Sequence, residues 1–310
     1  MTWQPSASIE VLKSRAAFYG YIRNFFALRD VMEVETPLIS GAGVNDANLE
    51  PVVAQCCGKP VYLHTSPEYP MKRLLAAGSG DIYQICKTFR DGEQGRRHNP
   101  EFTMLEYYRL GFGLTQLMDE VAQFAGDFLH IQSRLDLTYQ DAVQRFTGLN
   151  PFTVDQAVLR SRVVQFVGDD LELDRDGCLD ILMSHVVEPQ LPSDTLVFIY
   201  DYPASQAALA KTYRGQDEFE RARRFELYVN GLELANGYHE LTDPVEQQRR
   251  FAEQANMRAR QQQDDHFFLE ALEQGLPDCS GVAIGLDRLL MIKHQAAHIS
   301  EVLSFDFSRA

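Results

Sequence analysis

The sequence is poor in the features that would place it in a membrane, in a secretory compartment or on nucleic acid. It holds one tryptophan, and no apolar run approaches the roughly 18 residues of a membrane span. Its opening, MTWQPSASIE, lacks the basic-then-apolar order of a signal peptide. The five cysteines (Cys56, Cys57, Cys86, Cys178, Cys279) include no Cys-x-x-Cys pair. They fit reduced thiols in a cytosolic protein better than a disulfide frame or a zinc site. Positive charge is also in deficit. The 29 Lys and Arg stand against 44 Asp and Glu, a net charge of −15, so a basic nucleic-acid face is not expected. There is no internal repeat, low-complexity tract or linker. These absences imply a soluble, cytoplasmic protein, and 310 residues at 45% hydrophobic content suffice for a substantial core.

What is present centres on the stretch Thr88 to Arg109, which reads as strand, charged loop, strand. Arg90 ends the first strand, and the loop adds Arg96, Arg97 and His98. Arginine forks match phosphate and carboxylate oxygens bidentately, so this hairpin suits polyanions, although charge runs commonly mark only an exposed turn. Near the C-terminus, Gly281, Ala283 and Gly285 alternate with Val282, Ile284 and Leu286 before Asp287-Arg288 opens an apolar helix. Small residues on one strand face let a flat ligand approach the backbone.

Together these stretches resemble class II aminoacyl-tRNA synthetases: Phe89-Arg90 through Arg109 is similar to motif 2, Gly281 to Arg288 to motif 3, and Val34 to Ile39 to motif 1. RHNPEFTMLE, SPEY (Ser66 to Tyr69) and ELANGYHEL (Glu233 to Leu241) resemble the lysyl-tRNA synthetases, and in particular their short paralogues that modify elongation factor P. The resemblance implies an α+β catalytic fold, a mainly antiparallel sheet flanked by helices. It implies one domain over residues 1–310 with a helical insertion at about 139–193 and no anticodon-binding domain. It further implies ATP and Mg2+ as cofactors, β-lysine and elongation factor P as substrates, a homodimer, and no tRNA or membrane partner. A lysine-activating enzyme with another acceptor, or a silent lysine sensor, are the alternatives.

Carried onto this chain, the motifs assign catalysis to Arg90, bridging the α-phosphate and the attacking carboxylate, and to Arg288 on the γ-phosphate. Asp91, Gly92, His98, Asn99, Phe102, Glu233, Leu234 and Gly285 complete the implied ATP site, with Glu233 and Asn236 as metal ligands. Ser66, Pro67, Glu68, Tyr108, Glu240 and Ala283 form the implied amino-acid pocket, whose carboxylates compensate the substrate's ammonium groups. Two positions depart from the family pattern: Gly92 stands where motif 2 carries glutamate, and Ala283 where lysyl-tRNA synthetases carry glycine.

Periodicity adds local expectations. Residues 9–29 form a helix with Ser8 as N-cap, and its Ile22, Phe25 and Phe26 stripe faces the subunit's own core or, in the motif 1 reading, a second subunit. Thr65 or Ser66 caps a helix that Glu68 enters in its first turn. Residues 138–193 read as short helices, and Phe225 to Gly237 as sheet, with Asn236-Gly237 a possible turn. A long polar helix runs from Pro244 through Gln263.

Overall fold

Ser8 caps the first helix as expected, its hydroxyl accepting the Val11 amide at 3.2 Å, and α1 runs from Ile9 to Ala27. In this computed structural model, residues 3–43, 49–168, 173–257 and 265–310 are described. They divide into two compact units, Met1–Gly113 with Leu241–Ala310, and Leu114–Glu240.

In the first unit α1 leads to short strands β1 (Met32–Glu33) and β2 (Ile39–Ser40), then to the hairpin β3 (Val53–Cys56) and β4 (Lys59–Leu63). Helix α2 (Glu68–Ala76) follows, then the long hairpin β5 (Ile82–Phe89) and β6 (Glu101–Leu110). The motif 1 segment is thus two short strands rather than one. Ile22, Phe25 and Phe26 are buried within their own unit, where Phe26 stacks on Tyr83 at 4.4 Å between ring centroids. Of the two readings of this stripe the partner-facing one is corrected and the core-facing one holds, with Tyr83 of β5 and Tyr107 of β6 packed on Phe26.

The second unit runs α3 (Leu114–Leu129), β7 (Arg134–Thr138), α4 (Tyr139–Thr147), α5 (Gln156–Val167) and α6 (Arg175–Leu182). Strands β8 (Leu196–Pro203), β9 (Thr212–Arg214), β10 (Glu220–Val229) and β11 (Leu232–His239) complete it. The strand order is β11-β10-β8-β7, with β9 also on β10. The run expected from Phe225 to Gly237 is in fact a tight hairpin. It turns at Asn230-Gly231, both at positive φ, as two-residue hairpins require. Asn236-Gly237 is not a turn and lies inside β11.

The chain then returns to the first unit through α7 (Pro244–Met257), α8 (His266–Gly275), β12 (Cys279–Gly285) and α9 (Leu286–His294). The continuation of α7 toward Gln263 lies outside the described residues. Here the main sheet is β1-β5-β6-β12, and a smaller sheet is β2-β4-β3. Pairing is antiparallel except for β1 on β5 and β7 on β8. Register fixes the working face. Gln84, Glu106 and Ala283 lie in one cross-strand row, Ile82, Tyr108 and Gly281 in the row before it, and Cys86, Met104 and Gly285 in the row after. Directly opposed residues project to the same face, so the small residues of β12 flank Glu106 and Tyr108.

Candidate active site

At one end of that face sits a buried carboxylate. Glu106 is 2% exposed, and its oxygens accept hydroxyl protons from Ser66 at 2.7 Å and from Tyr108 at 2.6 Å. Ser66 holds α2 as well, since its hydroxyl accepts the Glu68 amide at 3.0 Å. Pro67 precedes the helix as assigned, so the capping serine works from one position further out. One helical turn on, the ammonium of Lys72, 1% exposed, lies 2.6 Å from a Glu68 oxygen. Two carboxylates and one resident cation therefore share the pocket. Burial, and then the nearby charge of Glu68, push the Glu106 carboxyl up to about 8. A cavity of about 330 Å³ opens beside Ser66, lined by Tyr62, His64, Thr65 and Tyr69. That volume is at the lower bound of small-ligand sites.

Further along, Arg90 follows the end of β5, its guanidinium 5.0 Å from the Phe102 ring centroid and 3.5 Å from a Glu93 oxygen. Gly92 has φ +78°, a backbone state that other residues rarely adopt, which accounts for glycine at the usual glutamate position. Asp91 and Gly92 are both exposed at the turn, and Glu93 is the carboxylate beside Arg90. Arg288, at the start of α9, donates to the Nε2 of His98 at 2.8 Å. Burial first, then the charge of Arg288, lower the His98 pKa, so its ring stays neutral and can accept that bond. Asn99 is spent on the chain itself: its amide donates to Glu101 O at 2.6 Å and accepts the Phe307 amide at 3.0 Å.

In the second unit a bulge reorganises the ELANG segment. Leu227 opposes Ala235 and Tyr228 opposes Glu233, so Leu234, itself buried, is the extra residue. Simple alternation would place Glu233 and Asn236 on opposite faces. The bulge returns both to the face of Glu226 and Tyr228. Asn236 accepts a proton from Arg224 at 3.2 Å, and Arg224 also pairs with Glu226 at 2.5 Å. Glu226 in turn accepts hydroxyl protons from Tyr202 at 2.6 Å and from Tyr228. Glu226, Glu233 and Asn236 thus share one face of the hairpin, with the Arg224 guanidinium bonded to both Glu226 and Asn236. Glu240 is buried and bridges Ala210.

Glu106, Lys72 and Glu226 carry no assignment from the motifs. Glu106 sits two residues before Tyr108, and the two-residue period of a strand was the signal for it; Glu226 has the same parity as Arg224 and Tyr228.

The class II tRNA synthetase family model for the D, K and N enzymes matches residues 1–309. The chain belongs to this family. Three curated proteins are each 46% identical to it over 322 residues, covering 100% of this chain and 98% of theirs. They are named elongation factor P–(R)-β-lysine ligase and come from Salmonella dublin, Salmonella paratyphi B and Salmonella heidelberg. Class II synthetases use ATP, and Arg90 and Arg288 both follow strands, β5 and β12, that end at the same edge of the sheet beside the start of β6.

The pocket's titration has a defined sign. Glu106 has a raised pKa, so its favourable contribution to folding is complete below the unfolded value near ~4.3 and is lost as pH rises through about 8. A ligand ammonium needs the ionised form, so binding must expel the proton. Calorimetry with lysine as probe, run in buffers of different ionisation enthalpy, should show proton release below pH 8 and affinity rising by up to about tenfold per pH unit. Glu106→Gln should abolish the proton release and weaken binding at pH 8 by about 10- to 100-fold, one charge-assisted bond. An unchanged proton count in the variant would remove Glu106 from the binding step.

Proposed function

We propose that the chain activates (R)-β-lysine with ATP and transfers it to the ε-amine of a lysine on elongation factor P. The substrate carboxylate attacks the α-phosphorus, pyrophosphate leaves, and an acyl-adenylate forms. The acceptor amine nitrogen, once deprotonated, attacks the adenylate carbonyl carbon, and AMP leaves as the amide forms. Arg90 and Arg288 stabilise charge on the phosphates, the kind of preorganised contact whose loss costs about 10²–10³ in rate. Mg2+ is assigned to Glu233 and Asn236 with Glu226, where it would offset phosphate charge. The roles of Leu234 and Glu240 in the second unit rest on the family motif.

The observation that carries this reading is the row Gln84–Glu106–Ala283. It sets a buried carboxylate beside a methyl group on one sheet face. The full-length similarity to ligases of that name supports it. The net charge of −15 supports a protein acceptor over tRNA. Incubating the protein with ATP, (R)-β-lysine and elongation factor P should add one β-lysyl mass to the factor, and tRNA should stay unmodified. Charging of tRNA without modification of the factor would reverse the assignment of the acceptor.

Ala283 bears on amino-acid choice. Its methyl faces the Glu106 row, where it narrows the space for an α-amino group, whereas a β-amine sits one carbon further from the carboxylate. Ala283→Gly should raise α-lysine activation relative to β-lysine by about 10- to 200-fold, the usual worth of one methylene-sized contact. An unchanged ratio in pyrophosphate exchange would transfer the selecting role to Ser66 and Glu68.

We also propose a homodimer through the motif 1 segment, now on different residues. Leu28, Met32, Ile39 and Val53 are exposed apolar side chains on and beside that segment, which is the usual mark of an interface. Light scattering at micromolar concentration should give twice the chain mass. A fully active monomer would refute the proposal.

A further inference from the structure

Arg15 lies on α1, yet its guanidinium is buried and reaches two other parts of the first unit. Its Nη2 sits 2.5 Å from Asp287 Oδ1, and Nε and Nη2 donate to Val302 O at 3.2 and 2.6 Å. Val302 closes a C-terminal 3₁₀ turn, Ile299–Val302. The second oxygen of Asp287 accepts the Thr103 amide at 2.7 Å. The pairing of β12 with β6 ends at Gly285–Met104, so this amide lies one residue beyond the last paired position. The Asp287 carboxylate therefore continues the ladder with a side chain where the strand has stopped.

Both neighbours of this junction belong to the phosphate end. Arg288 follows Asp287 directly, and Phe102, under the Arg90 guanidinium, precedes Thr103. The C-terminal segment also braces the loop between β5 and β6, with Ile299 N donating to Arg96 O at 2.9 Å and Phe307 N to Asn99 Oδ1 at 3.0 Å. A buried carboxylate holds one geometry only while its charge is compensated, and Arg15 supplies that charge while gripping the C-terminal turn.

We propose that Arg15 is a positioning residue for ATP: through Asp287 and Val302 it sets Arg288 and the Arg90–Phe102 arm relative to each other, without touching the nucleotide. The inference rests on the proposed ATP-dependent activation, deepening one of its sites, and it separates the two ligands. The hydrogen bonds described for Glu106 run to Ser66 and Tyr108, so amino-acid binding should be spared.

The test is direct binding by calorimetry, with ATP and β-lysine titrated separately into Arg15→Met and Arg15→Lys. For Arg15→Met the ATP Kd should rise at least about tenfold and the β-lysine Kd stay within about twofold. Arg15→Lys keeps the charge on Asp287 and should recover most of the ATP affinity. A folded Arg15→Met protein that binds ATP as the parent does, or loses both ligands alike, overturns the inference. If Arg15→Met fails to fold, Arg15→Gln below its melting temperature decides it by the same split between ligands. Because ATP binding is read without any acceptor, a parent that leaves elongation factor P unmodified would refute the function and leave this result standing.

Discussion

The first unit is arranged around a carboxylate that has been taken out of water. An ionised carboxylate in a dry pocket costs several kcal/mol unless hydrogen bonds and counter-charge offset it. Glu106 obtains two hydroxyl donors, and each fixes a different element. Tyr108 lies on its own strand, two residues along. Ser66 belongs to the entry of α2, and the same hydroxyl that serves Glu106 also accepts the Glu68 amide. A shift of α2 by one residue would remove Ser66 from Glu106 and carry Lys72 away from its buried position. The position of the helix and the ionisation of the strand residue are therefore one constraint.

A comparable dependence runs through the second unit. Arg224 holds Asn236 and Glu226, and its Nη1 donates to Gln206 O at 2.8 Å. Gln206 in turn donates to Asp180 of α6 at 2.8 Å, and Tyr139 of α4 packs its ring 4.7 Å from Tyr202. Burial first, despite the opposing charge of Arg224, raises the Asp180 carboxyl to about 6. The helical segment, to which the sequence attached no chemistry, is wired to the residues that would hold the cation.

The placement of Arg90 at a strand end and of Arg288 at a helix start was legible because such charge is a local pattern that motif spacing preserves. Ser8 and the α1 span were legible for the same reason. Glu106 was not, because it stands in MLEYYR among residues that look like core, and only the pairing with Ala283 shows which face it joins. Asn230-Gly231 and Asn236-Gly237 are the same dipeptide, and the sequence reading offered the second as a turn while running the first through as sheet. Pairing with β10 decides it, and the bulge at Leu234 then puts Glu233 and Asn236 together against simple alternation. Ile22, Phe25 and Phe26 show the remaining ambiguity: an apolar stripe states that it must be covered, not by what. Arg15 lies beyond sequence reading altogether, since its partners are 272 and 287 positions away.

In the proposed reading, the pocket would divide its discrimination between two kinds of contact. Glu106 senses charge, and a charge-assisted bond is worth ~1.5–3 kcal/mol with only a loose demand on where along the ligand the amine sits. Ala283 would sense position, because a methyl on a strand face excludes volume at one depth and is indifferent to charge a carbon further on. Lys72 limits how much charge the first contact can use, since it already compensates Glu68. A ligand with one ammonium near Glu106 leaves the pocket close to neutral, whereas an uncharged isostere leaves a proton on Glu106 or an uncompensated carboxylate. On that proposal, charge would decide whether an amino acid is held, and the small residues of β12 would decide which carbon carries its amine.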